Sequence, residues 1–293
     1  MRPLFLVLFG WVTAVLLPSA SAQLKVELSM DRDSYVSLET ITATVTVTNN
    51  VGKDVVLGGP SETSWLDFQI STSAGEPVSP LRPVAVAPLM IRNGESLKRK
   101  FSLDKHYYLS DSGKYLLRAA AYFPELQKYN LSPPKAFMVQ EPRRATWEEV
   151  FSVPDTAGVP GGYRKYQLFT VNDLDKSWIY YSLIDETNQL VLSRAPLGEF
   201  VPDRVLQPVV DRNKRLNLIY QSTPSLYTYQ QLDPGGQVTA LKFYSVSKGI
   251  PKLIKEADGA TAIMGGAIYD PAAEARKKTA VRKLSDRPGG LTE

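Results

Sequence analysis

The sequence predicts an all-β fold: a β-sandwich followed by an antiparallel β domain with two blade-like repeats. Three observations predict it. Apolar and polar residues alternate with a period of two through most of the chain, the pattern of half-buried strands. Threonine, valine, isoleucine and aromatic residues crowd those runs, as pleated surfaces favour. Asn, Asp, Gly and Pro then punctuate them roughly every 8–12 residues, the rhythm of sandwiches rather than of βαβ units.

The elements follow in order. Arg2 precedes an apolar stretch from Leu4 to Leu17, which Pro18 breaks before Ala20-Ser21-Ala22. This is the plan of a secretory signal peptide over residues 1–22, with cleavage expected before Gln23. The apolar run is short of the ~20 residues a spanning helix needs, and no cysteine follows it to take a lipid anchor. The expected setting is periplasmic or secreted. The 293-residue chain has no cysteine, which suits a bacterial periplasm and removes thiol chemistry. Its formal net charge of +4 is not spread over the body. Residues 271–293 hold 6 Lys/Arg against 3 Asp/Glu, and Arg2 belongs to the leader; the body from Gln23 to Asp270 is left with 27 of each. Nucleic-acid binding needs a clustered basic face and is not expected. Residues 271–293, with Arg276-Lys277-Lys278 and Arg282-Lys283, read as a basic flexible tail.

The first domain spans 23–141. Leu24, Val26, Leu28 and Met30 alternate with polar neighbours, and Asp31-Arg32-Asp33-Ser34 turns the chain. Ile41 to Thr48 interleaves apolar residues with threonines, and Asn49-Asn50-Val51-Gly52 returns it into Val55-Val56-Leu57. Leu66 to Ile70 alternates again, and Asn93-Gly94-Glu95 leads to a strand around Phe101. Then Asp111-Ser-Gly113-Lys-Tyr115 sets Asp and Gly just ahead of a strand-opening Tyr, as a tyrosine corner does.

Asp33-Ser-Tyr35, Glu39-Thr-Ile41, Val47-Thr-Asn49, Asn93-Gly-Glu95 and Gly113-Lys-Tyr115 together resemble bacterial extracytoplasmic immunoglobulin-like modules over residues 24–141. Macroglobulin-type domains and a Bacillus proteinase-inhibitor family share the outline. Leu38 stands where many such modules carry Gly. The resemblance implies an immunoglobulin-like sandwich and leaves open an inhibitor-like role for its loops.

Residues 142–161 read as a linker. Thr146-Trp147-Glu148-Glu149 fits a capping box, which predicts a short helix, and Pro154 to Gly162 has linker composition. The antiparallel β domain, 162–270, carries a faint repeat. An aromatic-rich strand, an Asp-led turn, then Gln and an aliphatic residue recur around Asp185 and Asp233. Pro208 to Leu218 similarly matches Pro251 to Ala262. The spacing suits propeller blades, but the segment holds only two units, so two blade-like sheets packed together are expected.

Chemistry is sparse. His106 is the only histidine and has no partner at metal-ligand spacing. Ser132-Pro-Pro-Lys135 and Ser245-Val-Ser-Lys248 match Ser-x-x-Lys but not on a helix, where hydroxyl and amine would meet. Glu148-Glu149 and Asp185-Glu186 are adjacent carboxylates, which strands point apart. Asn172-Asp173-Leu-Asp175 could offer oxygens to Ca²⁺, although these are also ordinary turn residues. Asn130-Leu-Ser132 would accept a glycan only in a eukaryotic host. No catalytic, cofactor-binding or metal residue is assigned. Trp178, Tyr180 and Tyr181, with Tyr227 and Tyr229, suit carbohydrate or peptide binding if exposed; core packing is the competing reading. Alternation puts Tyr227 and Tyr229 on one face and Tyr180 and Tyr181 on opposite faces. The function expected is a non-catalytic exported binding or scaffold protein with a protein or glycan partner at the cell envelope. A proteinase-inhibitor-like protein and a glycan-acting hydrolase are the alternatives.

Overall fold

The computed structural model describes residues 24–58, 64–154, 161–173, 176–202 and 204–276. The segment expected as a leader, residues 1–22, and the basic run beyond Arg276 lie outside them. The regular structure of the described chain is almost all strand, as the alternation predicts.

Ten strands build the first domain: β1 Leu24–Met30, β2 Ser34–Val36, β3 Thr42–Asn49, β4 Val55–Leu57, β5 Leu66–Thr72, β6 Leu89–Ile91, β7 Ser96–Ser102, β8 Gly113–Phe123, β9 Lys128–Leu131 and β10 Lys135–Gln140. One sheet runs β1-β3-β7; the other runs β2-β10-β8-β5, with β9 on β8 and the ribbon β4-β6 apart. Pairing is antiparallel except for β2 on β10. In β3 the alternation buries Ala43, Val45 and Val47 and leaves the threonines half-buried. They pack in one core with Phe68 and Ile70 of β5 and Leu117 and Ala119 of β8. Each large side chain so buried contributes about 1.5–3 kcal/mol. The Tyr115 hydroxyl donates to the Asp111 carbonyl at 2.8 Å, and its ring stacks on Phe137, which is the corner contact expected. Leu38 has φ +64°, the left-handed conformation that glycine adopts without steric cost.

The second domain holds β11 Trp147–Val153, β12 Gly162–Asp173, β13 Lys176–Asp185, β14 Leu190–Glu199, β15 Gln207–Val210, β16 Leu216–Thr223, β17 Leu226–Leu232, β18 Val238–Ser245, β19 Lys252–Lys255, β20 Thr261–Met264 and β21 Ala267–Tyr269. Two antiparallel meanders, β11-β12-β13-β14 and β15-β16-β17-β18-β21, share one core. These are the two blade-like sheets. The repeat is turn chemistry at equivalent hairpins. Asp185 Oδ1 accepts the Thr187 and Asn188 amides between β13 and β14. Asp233 Oδ1 accepts the Gly235 and Gln237 amides between β17 and β18. The second matched pair, Asp211 and Asp258, likewise turns β15 into β16 and β19 into β20. The hairpin β19-β20 lays Leu253 and Ile263 on Ile219 and Tyr229, covering the outer face of the second sheet.

Two expectations need correction. The segment with the capping-box pattern is not a helix: Thr146 donates both its amide and its hydroxyl to the Leu168 carbonyl, and residues 147–153 pair with β12. Trp147, Phe151 and Val153 share one face and pack into the inter-sheet core, a burial that outweighs a local capping preference. The linker 142–161 therefore contains the first strand of the second domain; residues 155–160 lie outside the described ones. The basic tail also starts as a helical turn over 271–276, because Asp270 Oδ1 accepts the Ala272 and Ala273 amides.

The domains meet at a polar seam. Val36 of β2 is buried with Phe169, Val171 and Tyr180. Arg32 donates to the Tyr180 hydroxyl at 2.5 Å and to Glu39 Oε1 at 2.6 Å. Its guanidinium also lies over the Tyr35 and Trp178 rings. From the other side, Arg194 of β14 donates to the Ser182 hydroxyl and the Ser37 carbonyl. Burial raises the Glu39 carboxyl above its ordinary range, against the attraction of Arg32; its Oε2 has no partner among the described residues.

Candidate binding cleft

A cleft of about 450 Å³ opens beside the first residues of β11. Its position follows from the connection between the two sheets. After β14 the chain crosses over residues 200–206 to begin β15. The Phe200 amide donates to the Ser177 carbonyl and the Val201 amide to Gln221, tacking the crossover to both sheets. Pro202 has no amide to donate there, and the next paired strand begins only at Gln207, so the crossover stands off β11 rather than closing on it.

The lining mixes apolar and polar groups. Trp147 supplies one wall, and Phe200, Pro202, Leu206 and Pro208 supply the other. Thr146, Thr170 and Asn172 add polar groups at its β12 end. Arg204 lines the cleft, is exposed, and has no ion pair among the described residues. Rings with a few convergent polar groups are the usual composition of a small-ligand or side-chain pocket. A tryptophan against a phenylalanine and prolines can hold a flat or apolar group, and one unpaired guanidinium can orient a carboxylate or phosphate beside it.

The residues weighed in the sequence go elsewhere. Tyr181 is buried between the sheets and donates to the Gly236 carbonyl. Tyr180 points to the opposite face, into the seam. Tyr227 and Tyr229 do share a face, but it lies beneath the β19-β20 hairpin. Core packing therefore accounts for these rings. His106 has only a 3.4 Å approach to the Arg82 carbonyl. Ser132 bonds the Ala119 amide while Lys135 pairs with Asp33, and Ser245 bonds Ser247; neither Ser-x-x-Lys match forms a reactive pair. Glu148 accepts from Gln167 and Glu186 pairs with Lys165. Asp185 is held by the Asn188 side chain and turn amides, which lower its pKa. Asn172 accepts from Ser177; Leu174 and Asp175 of the proposed Ca²⁺ loop lie outside the described residues. Among the described residues no cluster of His, Cys, Asp and Glu could hold a metal. No helix among them is long and apolar enough to cross a membrane.

Sequence reasoning did not single out Trp147, Phe200, Arg204 or Leu206. The one available signal was an aromatic inside the capping-box pattern, and the helical reading hid it.

No family model matches the chain, and no curated protein matches it. Among solved structures, Spo0M, a sporulation control protein from Bacillus subtilis, aligns with 57% of this chain and 82% of its own at 13% identity. The TM-score is 0.28, too slight a likeness to carry an argument about fold or function.

Proposed function

We propose that this chain is a non-catalytic, exported binding or scaffold protein in which an immunoglobulin-like sandwich holds a second β domain at the cell envelope. The observation that carries the reading is the composition of the cleft. Trp147, Phe200, Leu206 and the prolines offer contact area, and Thr146, Asn172 and Arg204 offer hydrogen bonds; these groups grip a ligand rather than move its protons. The leader-like residues 1–22 and the lack of cysteine support export. The Tyr115 corner supports the immunoglobulin-like assignment. The seam through Arg32 and Arg194 supports the scaffold role, since it fixes the cleft relative to the sandwich.

The test has two arms. Expressed with its own leader in a Gram-negative host, the protein is expected in the periplasmic fraction, starting at Gln23; full-length cytosolic protein would refute export. In the second arm, envelope extract and small aromatic carboxylates are titrated against the mature protein while amide and indole NMR signals are followed. Shifts should centre on Trp147 and Phe200 and vanish in Trp147→Ala. Turnover of a proteinase or glycan substrate that one side-chain change abolishes would refute the non-catalytic reading.

A further inference from the structure

A second opening lies along the same strand as the first. β11 is the outermost strand of its sheet and pairs only with β12 among the described strands. β15 is likewise an outermost strand, pairing only with β16. Residues of both strands line the same openings, Trp147 with Pro208 in one and residues 149–152 with Val210 in the other. The second opening, of about 560 Å³, is lined by residues 149–152 of β11 and, facing them, by the turn from Val210 to Lys214 with Lys255 of the β19-β20 hairpin. The first cleft sets Trp147 against Leu206 and Pro208. Both openings therefore lie beside β11, the first at Trp147 and the second at residues 149–152, with Pro208 and Val210 of β15 lining one each.

We propose that this furrow binds an extended segment of a partner protein, which adds as a fifth strand to β11 and carries an apolar side chain at one end and acidic side chains at the other. This rests on the reading of the chain as a binding protein and names its partner. An outermost strand presents unpaired amides and carbonyls on alternate residues, and strand addition is the general way such an edge is used. The seven residues of β11 give roughly 23 Å of edge at ~3.3 Å per residue, enough for a segment of similar length. Alternation of the added strand turns every second side chain inward. At the Trp147 end an inward side chain meets the apolar pocket. At the far end it meets Lys214 and Lys255, neither of which has an ion pair among the described residues; Arg212 is matched by Asp258 and Arg215 by Asp211. Glu149 lines the same opening and offsets one of the two lysine charges, and the one positive charge left over favours a carboxylate. A second copy of the chain fits less well, because its own β11 would bring Glu148 and Glu149 to the seam and set four carboxylates along one short ladder.

Fluorescence anisotropy tests this with three labelled peptides of about eight residues and the mature protein. The first alternates Thr and Val, with Trp at one end and two Asp at the other. The second replaces Asp by Lys, and the third is the first with alternate backbone nitrogens methylated. The Asp peptide should bind, the Lys peptide should bind about tenfold more weakly, and methylation should abolish binding. Lys214→Glu/Lys255→Glu, checked for native circular dichroism, should reverse the Asp-over-Lys preference. Equal binding of the methylated peptide, an unchanged preference in the double variant, no binding of either charged peptide, or dimerisation through β11 in sedimentation would each overturn the proposal. If Trp147→Ala removes the NMR shifts caused by aromatic carboxylates while the Asp peptide fails to bind, the furrow is refuted and the binding-protein reading stands.

Discussion

The two domains solve the same packing problem with different chemistry. Between the sheets of the first, aliphatic side chains make up most of the buried layer, with Val45, Val47, Leu117 and Ala119 at its centre, while its Tyr107 and Tyr115 donate to the Phe68 and Asp111 carbonyls. Between the sheets of the second, three tyrosines cross the layer and end on backbone carbonyls of the opposite sheet or its turns. Tyr166 reaches Asp233 at 2.6 Å, Tyr181 reaches Gly236 at 2.7 Å, and from the other sheet Tyr220 reaches Leu197 at 2.9 Å. Burial raises all three phenols, Tyr220 to about 12, so each stays a neutral donor. Aliphatic contacts by themselves hold sheets together without fixing where turns lie, and in the first domain the Tyr115 corner fixes the one at Asp111. Tyrosine layers pin particular turns at particular places, because an orphaned buried carbonyl costs about 1–3 kcal/mol. The pinned domain can keep an open side, the furrow along β11, without its sheets sliding shut.

The comparison is broken hardest at the seam, which belongs to neither layer. Arg32→Ala leaves the Glu39 carboxylate buried without its cation and should cost about 3–5 kcal/mol, read by urea denaturation; the lost bond to Tyr180 should also separate the unfolding of the two domains. Leu117→Ala, at a position with 0% exposure, should cost about 2–5 kcal/mol and act on the sandwich alone. Tyr166→Phe should cost about 1–2 kcal/mol and act on the second domain, with its largest NMR shifts in the turn at Asp233. If Tyr166→Phe proved neutral, the tyrosines would be packing rings and the contrast between the layers would fail.

The smallest effect is one of pH. Burial raises Glu39 above the value it has in the unfolded chain, so within that window the folded state binds the extra proton. Its contribution to stability is then present below the unfolded value and lost as pH rises through the folded one. Relative to Glu39→Gln, the wild type should therefore lose stability as pH rises through the window above the ordinary carboxylate range. A difference that is flat, or that moves the other way, would place the pairing with Arg32 above the cost of burial.

The strands were legible because period-two alternation records burial directly, as in Thr42 to Asn49. The corner at Tyr115 and the matched turns at Asp185 and Asp233 were legible because their bonds are local. The seam was not: Arg32 and Tyr180 are 148 positions apart, and nothing near either residue announces the other. β11 was misread because Thr146 and Glu149 carry a local helix signal, while the burial that overrules it arises only when Phe151 meets Tyr166. The cleft shares that origin, since Trp147 and Phe200 become neighbours only after the first meander has folded.

Amide hydrogen exchange along Trp147–Val153 tests the open edge most directly. In the free protein the amides of β11 that face away from β12 should exchange rapidly, and saturating Asp peptide should slow them while leaving Tyr227–Tyr229 unchanged. Amides already protected throughout β11 before any ligand is added, or protection that appears elsewhere, would contradict the account.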